Sequence, residues 1–333
     1  MSHTKPCSAI GRIVYLFIAI FCVSAAIFLV TNKQYVVDQL NAWQFTPSSA
    51  VASLADRSGM SDTGRFYFYT SHPSIDSAQA FNKECVQKES TTAILGCYNG
   101  QNIYVYNVTD ARLDGIQEVT AAHEMLHAAY ARMGDSEKQQ VDALLETEYN
   151  KLKDDKDFAD RVAFYERTEP GERDNELHSV IGTEVASISP QLESHYKKYF
   201  SNRSAVVALH TKYMSVFTNL QQQSQTLSDQ LTQLGNQIES NSAAYNTHVS
   251  QLNADIQAFN AKANNGGFAT EAEFQSERAG LVARATQLNG DRTTVNNLVD
   301  QYNALKQELE SVASQSDALN RSIDSSLAPA PSL

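Results

Sequence analysis

Clusters of lysine and arginine are missing from this sequence. Its 26 basic residues are outnumbered by 38 acidic ones, for a formal net charge of −12, and no stretch concentrates cations as phosphate contacts require. The composition therefore argues against a nucleic-acid partner, and the dispersed acid excess describes a solvated surface. Long hydrophobic runs are equally scarce. Only Ile13–Val30, IVYLFIAIFCVSAAIFLV, is free of charge over a length that reaches about 27 Å as a helix, close to the hydrocarbon thickness of a bilayer. Cysteine is sparse too: beyond that run only Cys85 and Cys97 remain of the four in the chain.

The apolar run is expected to be an uncleaved transmembrane anchor at residues 13–30, after a short cytoplasmic N-terminus at residues 1–12. Lys5, Arg12 and the amino terminus precede it and only Lys33 follows closely, so the positive-inside bias leaves residues 31–333 extracytoplasmic. A cleaved signal peptide is the alternative, but the run continues through IFLV after its Ser24-Ala25-Ala26 cluster. In an oxidising compartment Cys85 and Cys97 are expected to pair as a disulfide; two buried free thiols are the other reading.

With 333 residues, 42% of them hydrophobic, the chain can build one good core plus accessories, or two domains. Residues 31–60 read as a stem. A domain over 61–203 follows, opening with RFYFYTSHP, Arg65–Pro73, whose aromatic content suggests a strand. TAILGCYNGQNIYVYNV then carries two β-rich runs around Asn99-Gly100, a hairpin signal, so a small antiparallel sheet is expected. Helices are expected over 114–133, stopped by Gly134, over 136–153 and 156–167, and from about Glu176 until Pro190, after the break EPGERDN.

From residue 204 to 325 Gln, Asn, Ser and Ala dominate, and apolar residues recur in steps of three and four at Leu209, Tyr213, Val216 and Leu220, and later at heptad spacing through Leu281, Leu288 and Val295 to Leu298 and Tyr302. Asn264-Asn265-Gly266-Gly267 interrupts the pattern and a capping box, Thr270 to Glu273, restarts it. An antiparallel α-helical coiled-coil hairpin on the order of 80 Å long is expected, with a coiled-coil protein partner possible and a disordered tail over 326–333. The overall expectation is an α+β protein.

The chemistry-bearing motif is AAHEMLHAAY, residues 121–130. In a helix its H-E-x-x-H places His123 and His127 one turn apart on one face, with Glu124 about 100° round from His123. Two imidazoles so spaced can meet one Zn²⁺ while the glutamate reaches a water on the same ion. A solvated pair of histidines is the bland alternative; Val119, Ala122 and Leu126 supply an apolar stripe that favours burial.

Here the sequence resembles the HExxH zinc metallopeptidases, the zincins, and within them the gluzincin-like group. Tyr130 and Met133 stand where the metzincin pattern needs glycine and a third histidine. The resemblance implies a zincin-like domain and a third zinc ligand that is a glutamate from a later helix. DNELHSVIGTE is the matching stretch, which points to Glu176 after Asn175, with Glu184 the rival about 80° round the same helix. It further implies Glu124 as general base and a donor to the oxyanion, for which Tyr165 and His178 are candidates; each can equally be a packed residue.

The function expected on this basis is a membrane-anchored, extracytoplasmic, zinc-dependent endopeptidase acting on a protein or peptide substrate. The alternative is a coiled-coil interaction or scaffold protein of the cell envelope with a zincin-like docking domain, and by analogy alone a factor that regulates envelope hydrolases.

Overall fold

A computed structural model describes residues 9–85, 93–168 and 171–327 of the chain. Residues 1–8 of the expected cytoplasmic end and 328–333 of the expected tail lie outside these described residues. Two compact units divide the chain: residues 1–216 with 320–333, and residues 217–319.

The first unit opens with α1 (Ala9–Thr31), whose Val14–Thr31 window has a mean hydropathy of 2.6 with none of it buried, and is long and apolar enough to cross a membrane. After it come α2 (Lys33–Gln44), α3 (Ser49–Arg57) and α4 (Asp62–Thr70). Residues 31–60, expected as a stem, therefore belong to the folded body. Val51, Leu54 and Ala55 of α3 enter the core, and Asp38 of α2 is buried.

The expected strand at Arg65–Pro73 is instead α4. Ser61 caps it, its Oγ accepting from the backbone N–H of Gly64 at 3.1 Å. Helical spacing buries Phe68 while Tyr67 and Tyr69 pack at the core's edge. Packing against α2 and α6 thus overrides the strand preference of an aromatic run.

The sheet has three strands in the order β1 (Ser74–Asp76), β3 (Ile103–Tyr106), β2 (Gly96–Tyr98), with α5 (Ala78–Glu84) following β1. β2 and β3 form the expected antiparallel hairpin, Cys97 opposite Tyr104, around Gly100 at φ 92°. The sheet is nevertheless mixed rather than antiparallel. β1 pairs parallel to β3, because β2, which precedes β3 and runs antiparallel to it, returns the chain to the end at which β1 starts. Cys85 and Cys97 are joined as a disulfide that ties the end of α5 to β2.

The remaining helices of this unit are α6 (Ile116–Ala131), α7 (Asp135–Leu152), α8 (Lys156–Thr168), α9 (Arg173–Glu184) and α10 (Pro190–Tyr196). Two punctuation residues act differently from expectation. Gly134 caps the start of α7 rather than ending α6, and Pro190 starts α10 rather than stopping α9, a position where its missing N–H costs nothing. α6 runs through the middle of the core: Ala121, Ala122, Met125, Leu126 and Ala128 are fully buried.

α11 (Arg203–Asn264) begins in this unit. Its Arg203 donates to the carbonyls of Val185 at 2.7 Å and Ala186 at 3.1 Å, satisfying acceptors just past the end of α9.

The second unit consists of the rest of α11, a short turn and, as far as Leu319, α12 (Glu271–Ile323). Glu273 N–H donates to Thr270 Oγ1 at 3.2 Å and Glu273 Oε2 accepts from the backbone N–H of Ala269 at 2.9 Å, so the expected box caps α12. Phe259, Phe268 and Phe274 cluster at the turn, and Lys262 pairs with Glu273 at 2.7 Å and Asp255 with Arg284 at 2.6 Å.

Candidate metal centre

α6 starts after Gly115, which adopts φ 107°, and presents His123 and His127 one turn apart as the spacing requires. Their Nε2 atoms are 3.0 Å from each other. α9 packs along α6 and brings Glu176 from its first turn to the same point: Oε2 is 3.5 Å from His123 Nε2 and Oε1 is 3.4 Å from His127 Nε2. These side chains are nearly closed to solvent, at 12%, 10% and 8% exposure for His123, His127 and Glu176. Donors held about 2.1 Å from a tetrahedral zinc lie about 3.4 Å from one another, so the spacing fits such an ion. The buried His123, His127 and Glu176 group can hold a metal ion.

Asn175, read in the sequence only as the neighbour of Glu176, has a definite place here. Its Nδ2 donates to Glu172 Oε2 at 3.0 Å, which turns its Oδ1 toward His127 Nδ1 at 2.9 Å. The proton of a neutral His127 therefore sits on Nδ1, and the Nε2 lone pair faces the cluster. The structural signal was its position beside the glutamate, but nothing in its spacing from His127 along the chain revealed the contact.

Glu124 is buried at 6% exposure and points toward β2. A Cβ on Gly96 would come within 2.8 Å of Glu124 Oε1 and 2.5 Å of Thr120 Cγ2, so the hairpin can lie this close to α6 only because residue 96 has no side chain.

Glu184, the rival ligand, does not join the cluster. It pairs with Arg161 of α8, and its Oε2 is 3.4 Å from His210 Nε2. Two turns of α9 separate it from Glu176, enough to carry it to the far end of the helix despite a shared face. Tyr165 of α8 does reach the site, its ring stacked 6.3 Å from that of His123. His178 turns away into the core, where its Nε2 is 2.9 Å from His195 Nε2 and Tyr196 donates to its backbone carbonyl at 2.7 Å. Burial holds His178 well below the usual histidine range and pushes His195 down to about 4. His178 is thus a packed residue rather than an oxyanion donor.

The far end of α6 is anchored as well. Arg132, its C-cap, makes a two-pronged ion pair with Asp38 of α2, Nη2 to Oδ1 at 2.9 Å and Nε to Oδ2 at 2.9 Å, and donates to Tyr98 Oη of β2 at 3.1 Å. Neither residue of this pair was marked out by a sequence motif.

Comparison with protein-family models, with curated proteins and with solved structures finds no match to this chain.

Proposed function

We propose that this protein is a membrane-anchored, extracytoplasmic zinc endopeptidase. The observation that carries the reading is the convergence of His123 and His127 with Glu176, a residue 49 positions beyond His127 in the chain, at tetrahedral donor spacing beside a buried Glu124. Two imidazoles and one carboxylate are a donor set suited to zinc with a position left for water. A zinc ion held there would polarise a peptide carbonyl and acidify a water molecule.

The chain's own residues supply the rest. His127, its Nδ1 proton held on Asn175, keeps a fixed tautomer; Glu176 adds negative charge; Glu124 accepts a proton from the attacking water and delivers it to the departing amine. Tyr165, whose ring stacks on that of His123, would contact a substrate held at the ion.

The apolar helix α1 and the Cys85–Cys97 disulfide support placement of the catalytic body outside the cytoplasm. In the second unit, pairs that recede together from the turn, Lys262 with Glu273 and Asp255 with Arg284, support an antiparallel coiled-coil hairpin, which would present the enzyme to a protein partner or substrate. The same pairs are what favours the second reading, a scaffold whose metal domain only docks.

The deciding experiment compares the full chain with Glu124→Gln on a broad peptide library. Zinc-dependent cleavage that falls by about 10²–10⁴-fold in the variant, with metal retained, supports the peptidase. Absence of zinc-dependent cleavage by the wild-type chain rejects it in favour of the scaffold.

A further inference from the structure

Helix α2 buries its one carboxylate and exposes four large apolar side chains. The side that meets the protein is polar: Asp38 is buried on Arg132, Gln34 donates to Asp38 Oδ1 at 3.0 Å, and Thr70 Oγ1 donates to the Asp38 carbonyl at 2.6 Å. The side that faces outward carries four large apolar side chains among the exposed Lys33, Gln39 and Gln44. Tyr35, Val37, Leu40 and Trp43 are 56%, 40%, 51% and 84% exposed. A soluble surface helix turns its large apolar residues to the core; this one leaves these four outside.

Two further observations say what covers that face. α2 begins two residues after Thr31, the end of the helix able to cross a bilayer, so its first turns cannot lie far from the boundary where that helix emerges. The face also carries no acid in a chain of net charge −12, because the single carboxylate of α2, Asp38, is turned inward. Tyrosine and tryptophan are the residues that favour the headgroup level of a membrane.

We propose that the outward face of α2 lies in the headgroup–acyl boundary of the bilayer that α1 crosses, seating the folded body that carries the histidine cluster directly on the membrane. The seat is shared with the metal site's framework, because Asp38 grips the C-cap of α6 and, through Arg132, Tyr98 of β2. Attraction to anionic lipid is not needed; apolar burial along one face of α2 carries the contact. The inference rests on α1 as the membrane span and is independent of the peptidase reading.

Trp43 is the only tryptophan in the chain and is its own probe. The full chain is reconstituted into phosphatidylcholine vesicles, with or without acyl-brominated lipid, and Trp43 fluorescence is read against bromine and against aqueous iodide. A second probe, Leu40→Trp in a Trp43→Phe background, samples the same face one turn earlier and guards against a local perturbation. The proposal expects both probes to lose intensity with bromolipid and to be shielded from iodide. Quenching by iodide without loss to bromolipid overturns it. Shielding from both quenchers means that protein, a second copy or another chain, covers the face, and also overturns it. Failure of the chain to stay with the vesicles removes the span itself and the proposal with it.

Discussion

Asn175 Oδ1 accepts from His127 Nδ1 at 2.9 Å, and this contact decides which imidazole nitrogen faces Glu176. Removing such a support leaves the ligand in place but frees its ring and tautomer. Asn175→Ala should therefore weaken zinc binding by about 10–100-fold without unfolding the chain. Competition with a chromogenic chelator measures it; an affinity equal to wild type would show that the contact has no part in holding the metal.

Gly96→Ala tests the closeness of the hairpin to α6. A methyl group there meets Thr120 and Glu124, so β2 must lift or the Glu124 carboxylate must turn. Metal content should stay at the wild-type level while peptide cleavage drops by an order of magnitude or more, since a general base works only at hydrogen-bond range. Unchanged turnover in this variant would mean that Glu124 does not need its present position.

Acid should destabilise the fold through its buried histidines. Burial pushes His195 and His210 down to about 4, from an ordinary value of 6.5. As pH falls from 6.5 to 4, the unfolded chain takes up protons that the folded chain refuses, so stability present above that window is lost within it. Each group contributes a loss on the order of 3 kcal/mol. Denaturant titrations across the window should show a shallower pH slope in His195→Asn than in wild type; identical slopes would contradict the assignment.

Reduction of the Cys85–Cys97 disulfide should cost about 3 kcal/mol, because the bond closes a short loop, with a sequence separation of 12, that the unfolded chain would otherwise explore. Cys85→Ser in Cys97→Ser background should match the reduced protein in thermal melts. Equal melting of oxidised and reduced wild-type chain would argue that the bond contributes nothing.

These residues also mark how far the sequence could be read. His123, Glu124 and His127 were legible because a helix converts their spacing into geometry, and the Asn99-Gly100 turn because its backbone chemistry is local. Glu176 came only through a resemblance, and Glu184 competed with it because angle round a helix is readable while distance along a partner helix is not. The run RFYFYTSHP misled because aromatic content is shared by strands and by buried helix faces, and only the Ser61 cap separates them. Asp38 and Arg132, 94 positions apart, and Gly96 over Glu124 follow from tertiary packing that no local pattern encodes. The exposed apolar residues of α2 were hidden because which side of a helix is covered depends on what packs against it.

The most direct test of the metal centre is the zinc content of the purified full chain, measured by inductively coupled plasma mass spectrometry alongside Glu176→Ala and Glu184→Ala. The account predicts one zinc per wild-type chain, most of it lost in Glu176→Ala and kept in Glu184→Ala, since Glu176 stands 3.4 and 3.5 Å from the two imidazoles whereas Glu184 is held by Arg161. A wild-type chain that takes up no stoichiometric zinc, or a Glu176→Ala chain that keeps it, would contradict the assignment.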